Sequence, residues 1–240
     1  MRQIEKFLVE AKMMTGMEHE RIVRFVGVAW DSLNELCVMT ECLERGDLRS
    51  VLTEFQHTGP HALGFSADKV KIALHVVHAL TYMHSFQPAV LHRDLKSRNV
   101  LLDNELNAKL TDFGVSREHA DSTMTAGVGS SLWMAPEFMM GERYDEKADV
   151  FSLGVVLSEL DTHELPYAHA VEAGTGRKLP DTAILQMVSL GRLQVEFAHA
   201  DDSPMAQLGL DCVAVDPKAR PASFEVLYRI HQIWSSDQVL

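Results

Sequence analysis

The sequence predicts an α+β fold in which the helices carry most of the mass. Three observations predict it. A helical apolar pattern at 3–15 leads into two strand-like runs. Successive helical patterns then fill the chain from residue 68 onward. Between them lies one short stretch, 91–114, of a different texture.

Taken in order, Ile4, Phe7, Leu8, Ala11 and Met14 recur at three- and four-residue spacing. They define one apolar helix face, with Glu5, Lys6, Glu10 and Lys12 elsewhere around it. The runs Ile22 to Trp30 and Leu36 to Thr40 read as strands joined by a polar turn at Asp31 to Asn34. Gly46 and Asp47 are expected to open a short helix. From Asp68, the set Val70, Ala73, Leu74, Val77 and Leu80 marks a long buried helix. Residues 91–114 alternate short apolar pairs with polar residues, which reads as loop, strand, turn, strand. Residues 115–131 are rich in Ser, Thr and Gly and read as a mobile loop. Helical patterns resume at 145–160, 181–190, 204–213 and 222–234. Pro180, Pro204 and Pro221 stand near three of those starts, where proline is tolerated. No internal repeat interrupts this order.

Bulk properties narrow the function. A chain of 240 residues with 46% hydrophobic residues can bury one core or two joined lobes. A formal net charge of −12 argues against nucleic acid, whose binding relies on basic patches. The N-terminus has mixed charge and no apolar core of a secretory signal. The longest uncharged apolar stretch, Phe151 to Ser158, is too short to span a bilayer. The three cysteines, Cys37, Cys42 and Cys212, form no C-x-x-C pair and have apolar neighbours. They are expected to be buried free thiols of a cytoplasmic protein. Twelve histidines invite a metal reading, but His75, His78 and His84 lack carboxylate or thiol companions at matching spacing. They are expected to be surface histidines of a helix.

The chemistry gathers in residues 91–137. Phosphoryl transfer needs metal ions on the phosphates, a carboxylate for the incoming hydroxyl and positive charge on the transferring group. The string Leu91-His92-Arg93-Asp94-Leu95-Lys96-Ser97-Arg98-Asn99 resembles the catalytic loop of eukaryotic-type protein kinases. Asp112-Phe113-Gly114 and Ala135-Pro136-Glu137 follow in the family's order. Each triplet alone is a weak signal; the ordered set with these separations is a strong one.

The resemblance covers essentially the whole chain and implies a bilobal fold. Residues 1–43 would be a remnant of the small lobe and hinge, and 44–240 the large lobe. It makes Asp94 the catalytic base, with Lys96 reaching the γ-phosphate of ATP. Asn99 and Asp112 would hold Mg2+. Met39-Thr40-Glu41-Cys42-Leu43 is similar to the gatekeeper and hinge. Thr40, Glu41, Leu43 and Leu101 are thereby implied as nucleotide-contacting residues, with Asn99 and Asp112. Glu10 corresponds to the helix glutamate that pairs with a third-strand lysine. Asp149 corresponds to the aspartate that buttresses the catalytic loop, and Arg220 to the partner of Glu137. Met14, Phe25, His92 and Phe113 match the regulatory spine, which as plain chemistry means core residues.

Lys96, two residues after Asp94, resembles the serine/threonine type, and the string Gly129-Ser130-Ser131-Leu132-Trp133-Met134-Ala135-Pro136-Glu137 is similar to the tyrosine-kinase-like group near its Raf branch. That group mostly phosphorylates serine and threonine of protein substrates. Ser122, Thr123 and Thr125 are implied acceptors for an upstream kinase, since a phosphate there could pair with Arg93. The family carries a glycine-rich lid and a lysine on strands before the first helix, and this sequence opens on that helix. Gly174-Thr175-Gly176-Arg177-Lys178 lacks P-loop spacing and is expected to be an exposed loop. A second reading therefore stands beside the enzyme: a catalytically impaired scaffold that uses the large lobe for docking.

Overall fold

A computed structural model describes residues 2–32, 35–57, 62–112, 130–141 and 145–237, with backbone only at 2–6, 9–10 and 130. Helix α1 spans Arg2–Thr15, and the hairpin of β1, Phe25–Ala29, and β2, Cys37–Thr40, follows it. The two strands are antiparallel, with Phe25 opposite Thr40 and Ala29 opposite Cys37.

A second sheet sits in the helical part. Its strands are β3 (Gly46–Asp47), β4 (Val100–Leu102) and β5 (Ala108–Leu110), in the order β3-β4-β5. Helix α2 covers Leu48–His57 and α3 covers Ala67–His84. After residue 130 come α4 (Pro136–Met139), α5 (Glu146–Thr162), α6 (Asp181–Ser189), α7 (Pro204–Cys212) and α8 (Ser223–Asp237).

The long helices fall where their periodicity put them. Gly46 and Asp47 differ: they pair with Leu102 and Leu101 as a strand instead of opening a helix. Asp47 then caps α2 from outside, its carboxylate accepting the Ser50 N–H at 3.0 Å and the Ser50 hydroxyl at 2.7 Å. The 174–178 stretch is an exposed turn, as expected, closed by a bridge between Val171 and Lys178.

Helix α5 is the axis of the molecule. Every residue from Asp149 to Asp161 is buried. A helix buried on all sides must be surrounded, and α3, α7 and α8 pack around it. Asp145 starts it by accepting the Lys147 N–H, and His163 ends it in a left-handed conformation with φ 61°. The α1–hairpin unit is fastened to this body by backbone. Leu110 donates to the Arg21 carbonyl at 2.9 Å, and Val23 donates to the Leu110 carbonyl at 2.9 Å. The arrangement is bilobal, with a small lobe of one helix and two strands against a mostly helical large lobe.

Two expectations about side chains are corrected. Cys37 and Cys42 are exposed, and only Cys212 is buried, where desolvation pushes its thiol up to about 12. Cys37 is on the outward side of an alternating two-stranded ribbon. His75 and His84 are not surface residues. His75 is buried and its Nδ1 accepts the Ala108 N–H at 3.1 Å. His84 is drawn inward by Asp149 and Ser223.

Candidate active site

The loop at 91–99 is held from below. Asp149, in the first turn of α5, accepts the backbone N–H groups of His92 and Arg93 at 2.8 and 2.9 Å. The His84 Nε2 lies 3.0 Å from the same carboxylate. Burial works to raise the Asp149 pKa, but these contacts outweigh it and keep the carboxyl below its ordinary value. His92 is fully buried, and desolvation pushes its pKa down, so it serves as a neutral core residue. Met14 is buried and Phe25 packs against the same core, as the spine resemblance implied. Phe113 lies outside the described residues.

Asp94, Lys96 and Asn99 come together at the top of this loop. The Lys96 Nζ stands 2.7 Å from Asp94 Oδ2. The Asn99 amide donates to the Asp94 carbonyl at 2.8 Å and to Asp94 Oδ2 at 3.3 Å. A one-turn 3₁₀ helix, Ser97–Asn99, sets Asn99 at this distance. Because Nδ2 faces Asp94, Asn99 Oδ1 is turned the other way, with its lone pairs available.

Asp112 arrives from β5. Thr111 donates its N–H to the Asn99 carbonyl at 3.0 Å, so Asp112 is one residue beyond a direct link to Asn99. Its carboxylate is exposed, and Asp112 has φ 60°, as Arg93 has φ 66°. Two non-glycine residues in left-handed backbone beside one cluster are strain concentrated at a candidate site. The amide oxygen of Asn99 and the carboxylate of Asp112 are hard oxygen donors. Together with phosphate oxygens they fit Mg2+, which keeps few protein ligands. Among the described residues, no group of three or more His, Cys, Asp or Glu could hold a metal by itself.

The hinge-like segment is built around Glu41. Its carboxylate accepts from Lys109 Nζ at 2.7 Å and from the Arg24 N–H at 2.7 Å. Burial works to raise its pKa, yet these two contacts hold it below the usual value. Thr40 is half-buried at the end of β2, and Leu101 is half-buried on β4 between Val100 and Leu102, which are buried. The Leu43 carbonyl accepts the Gly46 N–H at 3.2 Å. The Glu10 side chain, the Ser130 side chain, Ser122, Thr123 and Thr125 lie outside the described residues.

Glu137 and Arg220 meet as a bidentate pair at 2.7 and 2.8 Å. Sequence reasoning missed Lys109, Arg49 and Glu159. Glu159 carried the only usable signal, an acidic residue inside an otherwise apolar helical run.

A helical lobe whose loop gathers Asp94, Lys96 and Asn99 below a helix-and-hairpin lobe defines the protein-kinase-like bilobal class. The chain belongs to the protein kinase family: the model of the protein kinase domain matches residues 1–232. The serine/threonine-protein kinase STY17 of Arabidopsis thaliana is 34% identical over 96% of this chain and 38% of its own length. The probable serine/threonine-protein kinase drkA of Dictyostelium discoideum is 31% identical over 97% of this chain and 34% of its own. The probable serine/threonine-protein kinase SIS8 of Arabidopsis thaliana is 32% identical over 96% and 21%. The chain spans less than two fifths of the length of each of these relatives. Among the described residues, no helix is long and apolar enough to cross a membrane.

Proposed function

We propose that this chain transfers the γ-phosphoryl group of ATP to serine or threonine hydroxyls of protein substrates. The observation that carries the reading is the Asp94–Lys96–Asn99 cluster, with Lys96 Nζ 2.7 Å from Asp94 Oδ2 and the Asn99 amide bracing Asp94. Asp94 orients the substrate hydroxyl and accepts its proton. Lys96 stands 2.7 Å from Asp94 Oδ2, where its positive charge can neutralise the transferring group. Asn99 Oδ1 and Asp112 hold Mg2+, which when bound offsets charge on the phosphates. Thr40, Glu41, Leu43 and Leu101 contact the nucleotide, with 1–43 acting as small lobe and hinge and 44–240 as large lobe. The family's general use of ATP and Mg2+ supports this assignment. So do the names of the relatives, each a serine/threonine-protein kinase.

The finer placement is in the tyrosine-kinase-like group near its Raf branch, supported by the 129–137 string, while Lys96 supports serine or threonine as the acceptor. The place of work is the cytoplasm. An upstream kinase acts on Ser122, Thr123 or Thr125.

Thermal shift with Mg–ATP tests the nucleotide site: stabilisation is expected, and Asp112→Ala abolishes it. Asp94→Asn lowers turnover by roughly 10²–10⁴-fold while sparing ATP binding. Phosphoamino-acid analysis of a labelled protein substrate yields phosphoserine and phosphothreonine. Phosphotyrosine alone would overturn the substrate class, and no Mg–ATP binding would leave the docking scaffold as the better reading.

A further inference from the structure

Glu159, on α5, is fully buried and receives three donors from three different parts of the chain. The Ser97 hydroxyl donates to Oε1 at 2.7 Å. The Trp133 Nε1 donates to Oε2 at 2.8 Å. The Arg49 Nη1, from α2, reaches Oε1 at 3.1 Å. Ser97 opens the 3₁₀ turn that carries Asn99 and directly follows Lys96. Trp133 closes the 130–133 turn before α4, and its carbonyl is bound again by the Ser152 hydroxyl at 2.8 Å. Arg49 is itself fixed by the carbonyls of His163 and Glu164 and by Thr53.

The donors set what the site asks of residue 159. Arginine and the indole N–H only donate, and Ser97 spends its proton here, so the site offers three hydrogens and asks for an acceptor at both oxygens. An ionised carboxylate meets that need; an amide would turn its NH2 group on Arg49 or Trp133, which can only donate. Desolvation raises the Glu159 pKa to about 6, and the contacts from Ser97, Trp133 and Arg49 oppose that rise. Arg49 is the charged group that faces it among the described residues.

We infer that Glu159 is a positioning residue: one buried carboxylate fastens the catalytic loop through Ser97 and the segment before α4 through Trp133. This inference rests on the phosphotransfer reading above. It acts through Lys96 and Asn99 and touches neither substrate nor metal. A charge placed this way ties the two walls of the site to the helix that also carries Asp149.

Two variants of the whole chain test it. Glu159→Gln keeps the shape but turns an NH2 group on one donor. Ser97→Ala cuts only the catalytic-loop link and leaves the Arg49 pair intact, so it decides the matter if Glu159→Gln does not fold. Each is expected to lower kcat roughly 10–100-fold with KM for ATP within about twofold, the scale of a displaced catalytic group. Amide exchange at Asn99 and Val100, whose N–H groups close the Ser97–Asn99 turn, rises about tenfold or more in both. Wild-type kcat, or a fall in kcat matched by a rise in KM for ATP, would overturn the positioning role. Unchanged exchange would overturn the fastening whatever the activity. An unaltered chain that transfers no phosphoryl group, with exchange raised in the variants, would sink the phosphotransfer reading and leave the fastening in place.

Discussion

The Asp149 carboxylate accepts the backbone N–H of Arg93 at 2.9 Å while Arg93 sits at φ 66°. Left-handed backbone costs a side-chain-bearing residue roughly 1–2 kcal/mol, so something must hold it there. A buried carboxylate taking two adjacent N–H groups does so, with the His84 Nε2 3.0 Å from the same carboxylate. Asp149→Asn replaces one acceptor oxygen by a donor facing a donor. It should destabilise the chain by about 2–4 kcal/mol in urea unfolding and release the amides of His92 and Arg93 to exchange. An unshifted midpoint with full amide protection would show that the loop is held by something else.

Arg220 is almost wholly buried and spends all its donors. Besides the fork onto Glu137, it donates to the carbonyls of Ala214, Lys147 and Val215, and its guanidinium lies 4.9 Å from the Phe151 ring. A lysine keeps the charge but cannot make a fork. Arg220→Lys is expected to cost about 3–5 kcal/mol, with Glu137→Gln in the same range. The double variant should fall short of the sum by more than about 1 kcal/mol, because the two side chains act as one unit. Strict additivity in a double-mutant cycle would contradict that coupling.

The parts legible in the sequence were those with local pattern. Val70, Ala73, Leu74, Val77 and Leu80 announced α3 because helix burial repeats every three to four residues. Asp94, Lys96 and Asn99 were readable because one short loop carries all three. Helix α4 was not, since four residues are too few for a period. The strand at Gly46–Asp47 exists only through its partners Leu101 and Leu102. Glu41 and Lys109 are separated by 68 residues, and Glu159 by 110 from Arg49 and 62 from Ser97. No spacing rule links such residues; the fold alone brings them together. His75 was misjudged because its partner is a backbone N–H, which a sequence does not advertise.

That buried histidine sets a pH dependence. Its Nδ1 accepts the N–H of Ala108, the first residue of the strand that leads to Asp112, so it must be unprotonated in the folded chain. Burial, with help from Arg21, Lys71 and His78, lowers its pKa from 6.5 to about 4. A folded pKa below the unfolded one means stability present above pH 6.5 and lost as pH falls toward 4. The shift corresponds to about 3 kcal/mol over that window. Urea midpoints measured between pH 7 and 4 should fall accordingly, and His75→Gln should flatten that part of the profile. A variant whose acid sensitivity equals that of the parent would assign the loss to other groups.

Gly154 marks the crossing of α5 and α7. A Cβ built there would stand 2.7 Å from Val213 Cγ1, 2.8 Å from Cys212 Cβ and 3.0 Å from the Gly209 carbonyl oxygen. Alanine is the better helix former by about 1 kcal/mol, so propensity alone predicts that Gly154→Ala stabilises. Packing predicts the reverse, because the two helices would have to separate around a core already at full density. Overpacking of this kind costs about 1–3 kcal/mol, and backbone on α7 is among the atoms that must yield. We expect Gly154→Ala to lower the urea midpoint. Adding Val213→Ala should recover part of that loss, since the nearest clash is the valine methyl, while Val213→Ala alone is destabilising. A rise in midpoint for Gly154→Ala would mean that α5 and α7 stand farther apart than 2.7 Å contacts allow.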